Sequence, residues 1–452
     1  MFSGKLGRLE GVEHDIDVQG HAPITQSYYR MAPDKVEVLK AEIDQMLELG
    51  VIQPSQSPWA SPIILVKKPN GEWRPCIDYR RINEVTKSTT YPIPRIEDLI
   101  DRVANANVIT TLDLNKGYWQ IPLTPAAREI AAFITPFGLY EPVTLPFGLK
   151  GAPMTFQRTI NDILSHTPAQ NQPYRQRPAD AYLDDIAVQS ADWEKHLVHL
   201  DQTLYALDQR GVTLNPEKCK IASGTVHYLG HELGSGRVSP IPSKCEAIQQ
   251  IPTPTTKKQL RSFLGTIGFY RRFIPKFSGT AAPLTDLLSG KRKGDISRDW
   301  GTPQQTAFEA LKEALAGYPV LKAPDFSRPF EIYSDAADTG IAAVLMQEHD
   351  KVPLPVAYYS RKLLPRERNY SAIEKELLAL ISALTAYRVY VGSGPVTVYT
   401  DHNPLVWLNK TRSTNQRLLR WSLCLSEFLL TIRHIKGKDN ILCDFLSRNT
   451  AP

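Results

Sequence analysis

The chain has 452 residues, 42% of them hydrophobic and 22% charged, with a net charge of +6. This is ordinary globular composition, long enough for roughly three domains, and its mild positive charge permits a nucleic-acid partner without demanding one. Five cysteines with no Cys-x-x-Cys spacing indicate neither a disulfide framework nor a zinc site, and no apolar run approaches the ~18 residues of a membrane span.

No N-terminal signal peptide is visible, so a reducing, soluble location is expected. Residues 1–30 show little periodicity and read as an extended arm. "APDKVEVLKAEIDQMLELG" reads as a helix: Pro33 suits the start, Val36, Leu39, Ile43 and Met46 or Leu47 form one apolar stripe, and Gly50 suits the stop. Residues 60–85 alternate as strands around a "KPNGEW" turn. "VITTLDL" (108–114) reads as a buried strand, and 152–164 as a helix. A polar, Pro-rich stretch over 165–180 reads as a long loop, which inside a compact domain asks for an explanation. In "AYLDDIAV", Asp184 and Asp185 fit a two-residue hairpin turn between strands 181–183 and 186–189. A helix over 192–210 and a hairpin over 225–238 follow. His227 and His231 read as strand residues flanking a glycine rather than as metal ligands.

Pro240, Pro242, Pro252 and Pro254 mark a boundary. Beyond it Lys257, Lys258, Arg261, Arg271, Arg272 and Lys276 occur with no acid among them, interleaved with Phe263, Phe269, Tyr270, Phe273 and Phe277. Either the aromatics form a core under a solvated basic face, or that face meets phosphates, and both can hold together. Around Leu321–Phe330 a further unit starts. "FEIYSDA", "GIAAVLMQ" and "PVAYYSRKL" read as strands, "SAIEKELLALISALTAY" as a helix with Ile373, Leu377, Leu380 and Leu384 on one face, and "VTVYTD" as another strand. This order suggests a mixed sheet with helices packed on it.

A solvated acidic turn would explain Asp184 and Asp185 alone. Asp113 shifts the balance, because it ends an apolar strand where an unpaired buried charge is costly. A strand-end Asp and a hairpin-tip Asp converge if their strands are neighbours. Converged carboxylates repel unless cations neutralise them, and hard oxygen ligands select Mg²⁺. Two such ions ~3.5–4 Å apart form the clamp used in phosphoryl transfer.

"YLDD", with the upstream "TLDLNKGYWQI" and "LPFGLKGAPMTFQ", resembles a reverse transcriptase. "SPWASPIILVKKPNGEWRPCIDYRRIN" resembles the fingers of the Ty3/gypsy class of LTR-retroelement polymerases. The resemblance covers roughly residues 25–448. It implies that Asp113 and Asp184 hold metal, with Asp185 close by and less directly bound. It also implies that Lys67 and Arg74 grip the incoming triphosphate, that Tyr118 is the steric gate beneath the sugar 2′ position, and that Phe147 in "LPFG" lines the nucleotide pocket, where many retroviral enzymes have Gln. Lys218 in "LNPEKCK" matches the basic residue that protonates pyrophosphate, and "YLG" at 228–230 the primer grip. Lys67 also reads as a solvated strand lysine and Tyr118 as ordinary core. One departure stands out: relatives have an apolar strand directly before the Tyr of "YLDD", whereas here the polar loop precedes it, so a short first arm is expected.

The C-terminal unit resembles a ribonuclease H, with Asp335, Glu376, Asp401 and Asp444 at family-like places. Glu374 competes with Glu376. Helical phase does not separate them, and the family pattern of Glu followed by Leu-x-Ala favours Glu376. Cellular relatives carry a loop histidine before the last Asp; here Lys438 stands about there, and His434 reads as part of the preceding strand. "DTG" at 338–340 matches an aspartic-protease signature but reads as turn chemistry. No protease or integrase zinc motif is visible, as in a segment of a longer polyprotein or one expressed alone.

The resemblance implies an α+β multidomain chain: a right-hand polymerase, with fingers and palm over 1–240 and thumb and short connection over 241–322, then an α/β ribonuclease H-like domain with a mixed sheet over 323–452. Its expected ligands are two Mg²⁺ ions per site, with Mn²⁺ able to substitute. Its expected partners are an RNA template, a DNA primer, RNA–DNA hybrid and dNTPs. No membrane partner is expected, a homodimer is compatible, and the expected setting is cytoplasmic retroelement particles. The rival reading is a non-catalytic nucleic-acid-binding or structural subunit derived from such an enzyme.

Overall fold

The computed structural model describes residues 1–2, 4–67, 71, 73–167, 177–289, 294–317, 319–392, 394–400 and 416–435. The chain divides into two compact units, Met1–Leu229 and Gly230–Pro452.

In the first unit, helix α1 (Pro33–Glu48) buries Leu39, Ile43 and Met46, the stripe its periodicity predicts, and ends before Gly50, whose φ is +66°. Strands β1 (Ile52–Pro54), β2 (Ser61–Lys67) and β3 (Trp73–Ile77) follow. Residues 80–85, expected as strand, instead form the short helix α2 (Arg80–Val85). Asp78 explains the turn-off: its carboxylate accepts the Arg80 backbone N–H at 3.3 Å and so competes with the ladder. Helix α3 (Ile96–Ala104) leads into β4 (Val108–Asp113). A 3₁₀ turn (Gly117–Gln120), α4 (Pro125–Ile130), β5 (Phe133–Thr135), β6 (Gly138–Pro142) and α5 (Ala152–Ser165) come next. The hairpin β7 (Ala179–Tyr182) and β8 (Asp185–Ser190), α6 (Trp193–Gln209), β9 (Lys220–Ser223) and β10 (Val226–Tyr228) complete the unit.

Two sheets organise these elements. One has the order β1-β6-β5-β2-β3, the other β7-β8-β4-β9. Leu112, Phe156, Ile160, Ile186, Val188 and Leu207 pack in the core between the second sheet and its helices. The N-terminal arm is extended, as expected, yet it is also core: Leu9 and Ile16 are buried. Its backbone is stitched to distant chain, Leu9 N–H donating to the Gln120 carbonyl at 2.7 Å and Glu10 N–H to that of Arg210 at 3.2 Å. Gly7 allows this approach, since a Cβ there would meet the Gly211 carbonyl oxygen at 2.6 Å.

The second unit opens with β11 (His231–Gly234) and β12 (Arg237–Pro240), an antiparallel pair. The segment expected as one hairpin, 225–238, is thus three short strands broken at Gly230, whose φ is +79°. Helices α7 (Pro242–Gln249), α8 (Lys257–Phe269), α9 (Phe277–Thr280), α10 (Ala282–Leu288) and α11 (Thr302–Ala316) lead to β13 (Leu321–Lys322). Along α8, Leu260, Phe263 and Ile267 are buried while Lys258 and Arg261 are exposed, so an aromatic-lined core and a basic face coexist. His231 is buried against Phe269, Tyr270 and Phe273, with ring centroids 5.1–5.7 Å away.

The last sheet is built from β14 (Phe330–Ala336), β15 (Gly340–His349) and β16 (Val352–Lys362). After α12 (Pro365–Arg368), α13 (Ala372–Ala386) and α14 (Arg388–Val391), it gains β17 (Pro395–Thr400) and, following a helix over Gln416–Leu425, β18 (Leu429–His434). The order is β16-β15-β14-β17-β18, antiparallel among the first three and parallel among the last three. This is the mixed sheet the sequence suggested, with Leu377, Leu380 and Leu384 of α13 buried in its core.

Candidate active sites

β4 and β8 are antiparallel neighbours, and their register makes Asp113 the partner of Asp185. Directly opposed residues have Cα atoms about 4.5–5.5 Å apart, so two carboxylates meet by strand geometry alone. The hairpin turn is one residue earlier than expected. Tyr182 pairs with Asp185, which leaves Leu183 and Asp184 as the turn and makes Asp185 the first residue of β8. Leu183, with φ of +53°, takes the left-handed conformation that tight hairpin turns require.

Sequence reasoning did not single out the residue that fixes this turn. Gln157 on α5 is fully buried. Its Nε2 donates to the Ala181 carbonyl at 2.9 Å, and its Oε1 accepts the Leu183 N–H at 2.8 Å. The signal was present as the "FQ" of "GAPMTFQ", an amide on the buried side of the helix beside Phe156.

The three carboxylates disturb one another. Asp185 is pushed up to about 6, first by desolvation and then by the charges of Asp184 and Asp113, with Lys218 opposing. Asp113 is also raised, by burial first, with Lys218 pulling it down. Lys218 Nζ lies 3.4 Å from Asp113 Oδ1. Among the described residues no three His, Cys, Asp or Glu side chains close on one point. The donor set nevertheless fits a hard divalent cation: three acidic oxygen donors from adjacent positions, one already drawn to a cation in Lys218.

Beside the carboxylates stands a stack. Tyr118, in the 3₁₀ turn after β4, is buried and lies parallel to Phe156 with centroids 4.9 Å apart. Phe147 lies 4.9 Å from its ring, and Arg74 Cζ sits 4.6 Å over the Phe147 ring. Burial and the charge of Asp184 push the Tyr118 phenol up to about 12. The structure thus brings Arg74, Phe147 and Tyr118 together, beside Asp184. Lys67 is exposed at the end of β2, its ammonium 5.9 Å over the Trp73 ring.

In the second unit Asp335 lies near the end of β14 and Glu376 on α13. Glu376 is buried, and its Oε1 accepts the Ala336 backbone N–H at 3.1 Å, which sets its carboxylate beside the strand that carries Asp335. Glu374 has another task. It closes a capping box with Ser371, accepting the Ser371 N–H at 3.0 Å. Asp401 and Asp444 lie outside the described residues, as does Lys438. β17, which leads into Asp401, runs parallel beside β14. His434 ends β18, as the strand reading expects. Asp338 of "DTG" sits in the turn between β14 and β15, exposed and paired with Lys375 Nζ at 2.9 Å.

Residues 66–233 match the family "Reverse transcriptase (RNA-dependent DNA polymerase)", and residues 325–428 match "RNase H-like domain found in reverse transcriptase". The chain is 35% identical over 449 residues to the retrovirus-related Pol polyprotein from transposon 297 of Drosophila melanogaster, covering 98% of this chain and 41% of that protein. It is 37% identical to the corresponding polyprotein from transposon opus of the same organism, covering 97% and 44%. It is 32% identical to the transposon Tf2-3 polyprotein of Schizosaccharomyces pombe, covering 97% and 33%. The chain therefore spans under half the length of the curated relatives it matches. Its fold is similar to that of the foamy viral protease-reverse transcriptase dRH in complex with ds DNA, with a TM-score of 0.85 at 25% identity, covering 96% of this chain and 75% of that one. A second structure of the foamy viral protease-reverse transcriptase, in complex with dsDNA, gives 0.83 at 25% identity, covering 96% and 90%. Both families generally use divalent metals. With both domain families in order along one chain and Pol polyproteins of transposons among its relatives, the protein is a member of the reverse transcriptases of LTR retroelements, of the Ty3/gypsy kind, with an RNase H-like domain.

Proposed function

We propose that this chain is an RNA- and DNA-templated DNA polymerase that extends a primer with dNTPs, and that it also cleaves the RNA strand of RNA–DNA hybrids. The observation that carries the reading is the in-register pair Asp113–Asp185 with Asp184 in the adjoining turn. Burial first, and then the charges of Asp184 and Asp113, raise Asp185, so the cluster is costly without a cation. Fingers and palm occupy about 1–240, thumb and connection about 241–322, and ribonuclease H about 323–452.

Asp113 and Asp184 would hold two Mg²⁺ ions, with Asp185 alongside and Mn²⁺ able to substitute. When bound, such a pair lowers the pKa of the primer 3′-hydroxyl and neutralises the leaving pyrophosphate. The protein's own groups do the rest. Lys218, next to Asp113, supplies a proton to the pyrophosphate. Arg74 and Lys67 attract the triphosphate from the β2–β3 hairpin. Tyr118, held flat between Phe147 and Phe156, forms a floor under the sugar. In the second unit Asp335 and Glu376, with Asp401 and Asp444, would hold the ions for hydrolysis of the RNA strand. Cytoplasmic retroelement particles are the setting this activity implies. Among the described residues no helix is long and apolar enough to cross a membrane.

The test is primer extension on a poly(rA) template beside degradation of a labelled RNA–DNA hybrid, each with Mg²⁺ or Mn²⁺. Both activities are expected. A chain that binds primer–template but performs neither reaction with either metal would be the structural subunit instead.

A further inference from the structure

Asp180 is an acidic residue with no part in the chemistry above, and it is buried. It lies on β7, where strand alternation turns it away from Ala179 and Ala181, which pack into the core. Arg102 on α3 meets it at 2.7 Å, with the two side chains 7% and 8% exposed. Gln189 on β8 donates from Nε2 to Asp180 Oδ2 at 2.8 Å and to the Arg177 carbonyl at 2.9 Å. One carboxylate thus joins α3, β7 and β8. Tyr228 of β10 completes the surroundings: its charged neighbours include Asp180 and Asp185, and its hydroxyl donates to the Asp185 carbonyl at 3.4 Å.

β7 needs such ties. It is four residues long and, among the described residues, lies at the edge of its sheet beside β8. A short edge strand has few ladder bonds to fix its height. Gln157 holds the turn from α5, and Asp180 holds the strand's other end. A buried ion pair contributes little net stability compared with an apolar pair of similar volume, so its presence here is better explained by registry than by stability.

We propose that Asp180 is a positioning residue of the polymerase site: its ion pair with Arg102 fixes the outer strand of the catalytic hairpin, and so the placement of Asp184 against Asp113. This rests on the polymerase reading above.

Two variants test it, Asp180→Asn and the doubly neutral Arg102→Met/Asp180→Asn. Asp180→Asn should lower kcat for dNTP incorporation ~10- to 100-fold, the range for small misplacements of reacting groups, and leave KM for dNTP within about twofold. The Mg²⁺ concentration for half-maximal rate should rise, and added Mg²⁺ should recover part of the loss. The double variant should regain the wild-type melting temperature, because no charge is left buried alone, yet keep the low kcat and the raised Mg²⁺ requirement. Recovery of both in the double variant would overturn the proposal. So would an unchanged kcat in Asp180→Asn, or a loss that only follows the folded fraction, with hybrid cleavage by the same preparation as the internal standard. A wild-type chain that extends no primer counts against the polymerase reading itself. The rise in melting temperature on adding Mg²⁺, measured without substrate, still tests the inference: it should be smaller in both variants, and an equal rise would overturn it.

Discussion

The two carboxylate clusters are assembled by different means. In the first unit Asp184 and Asp185 are covalent neighbours, and Asp113 reaches them across one strand pair. In the second, Asp335 comes from a strand and Glu376 from a helix, joined through the Ala336 N–H. Burial raises Asp185 most, and the adjacent charges of Asp184 and Asp113 add to it, while Lys218 lies against Asp113. Acids from separate elements can instead be spaced by packing. The first cluster therefore depends on the hairpin's register, and the second on how α13 sits on its sheet.

The largest expected effect separates the two. Asp184→Asn should lower dNTP incorporation by ~1000-fold or more, the scale of losing one oriented electrostatic group. Hybrid cleavage by the same protein should stay within about twofold, since its carboxylates belong to the other unit and share no partner with Asp184. Glu376→Gln should invert the pattern. If either variant lost both activities while remaining folded, the sites would not be separable.

Tyr118→Ala probes the first site more finely. Removing a buried ring should cost ~3–5 kcal/mol and lower the melting temperature. If the ring is also the floor under the sugar, the efficiency of rNTP relative to dNTP incorporation should rise by ~10-fold or more. A lower melting temperature with an unchanged ratio would leave Tyr118 as core alone.

The pH dependence sharpens the electrostatic half of the contrast. Asp185 rises from an ordinary carboxylate value to about 6 in the folded chain. A raised acid contributes stability at low pH and loses it as pH climbs through the folded value, so its ionisation weakens the metal-free fold between about pH 4 and 6. Divalent cations need the ionised form. The rise in melting temperature with Mg²⁺ should therefore be small at pH 5 and full by pH 7.5, and Asp185→Asn should flatten the change. A Mg²⁺ effect independent of pH would count against the coupling.

Glu374→Gln should do least. It weakens a helix cap, at ~1 kcal/mol or less, and should leave cleavage near wild type. A variant as inactive as Glu376→Gln would show that the cap residue is the ligand.

Much of this was legible in the sequence because the signals were local. The stripe of α1, the buried strand ending at Asp113 and the alternation around "FEIYSDA" are all short-range patterns. The turn at 183–184 was misplaced by one residue because an Asp-Asp pair looks like turn chemistry, whereas the pairing of Tyr182 with Asp185 decides the matter across the strands. Helix α2 was missed because the Asp78 side chain, not a periodicity, ends the strand. Gln157 acts through Ala181, 24 positions away, and Asp180 through Arg102, 78 positions away, and no window of sequence displays those pairings.

The N-terminal arm has a consequence in time rather than space. Gly7 donates its N–H to Thr213 Oγ1 at 2.8 Å, a contact between residues 206 apart. Synthesised 206 residues ahead of its partner, Gly7 can reach its final place only after residue 213 has emerged, so the arm waits for chain made much later. Long-range closures of this kind slow folding and leave apolar groups exposed meanwhile. Leu9 and Ile16 are the groups that wait, and an arm truncated before them should fold faster and hold less firmly.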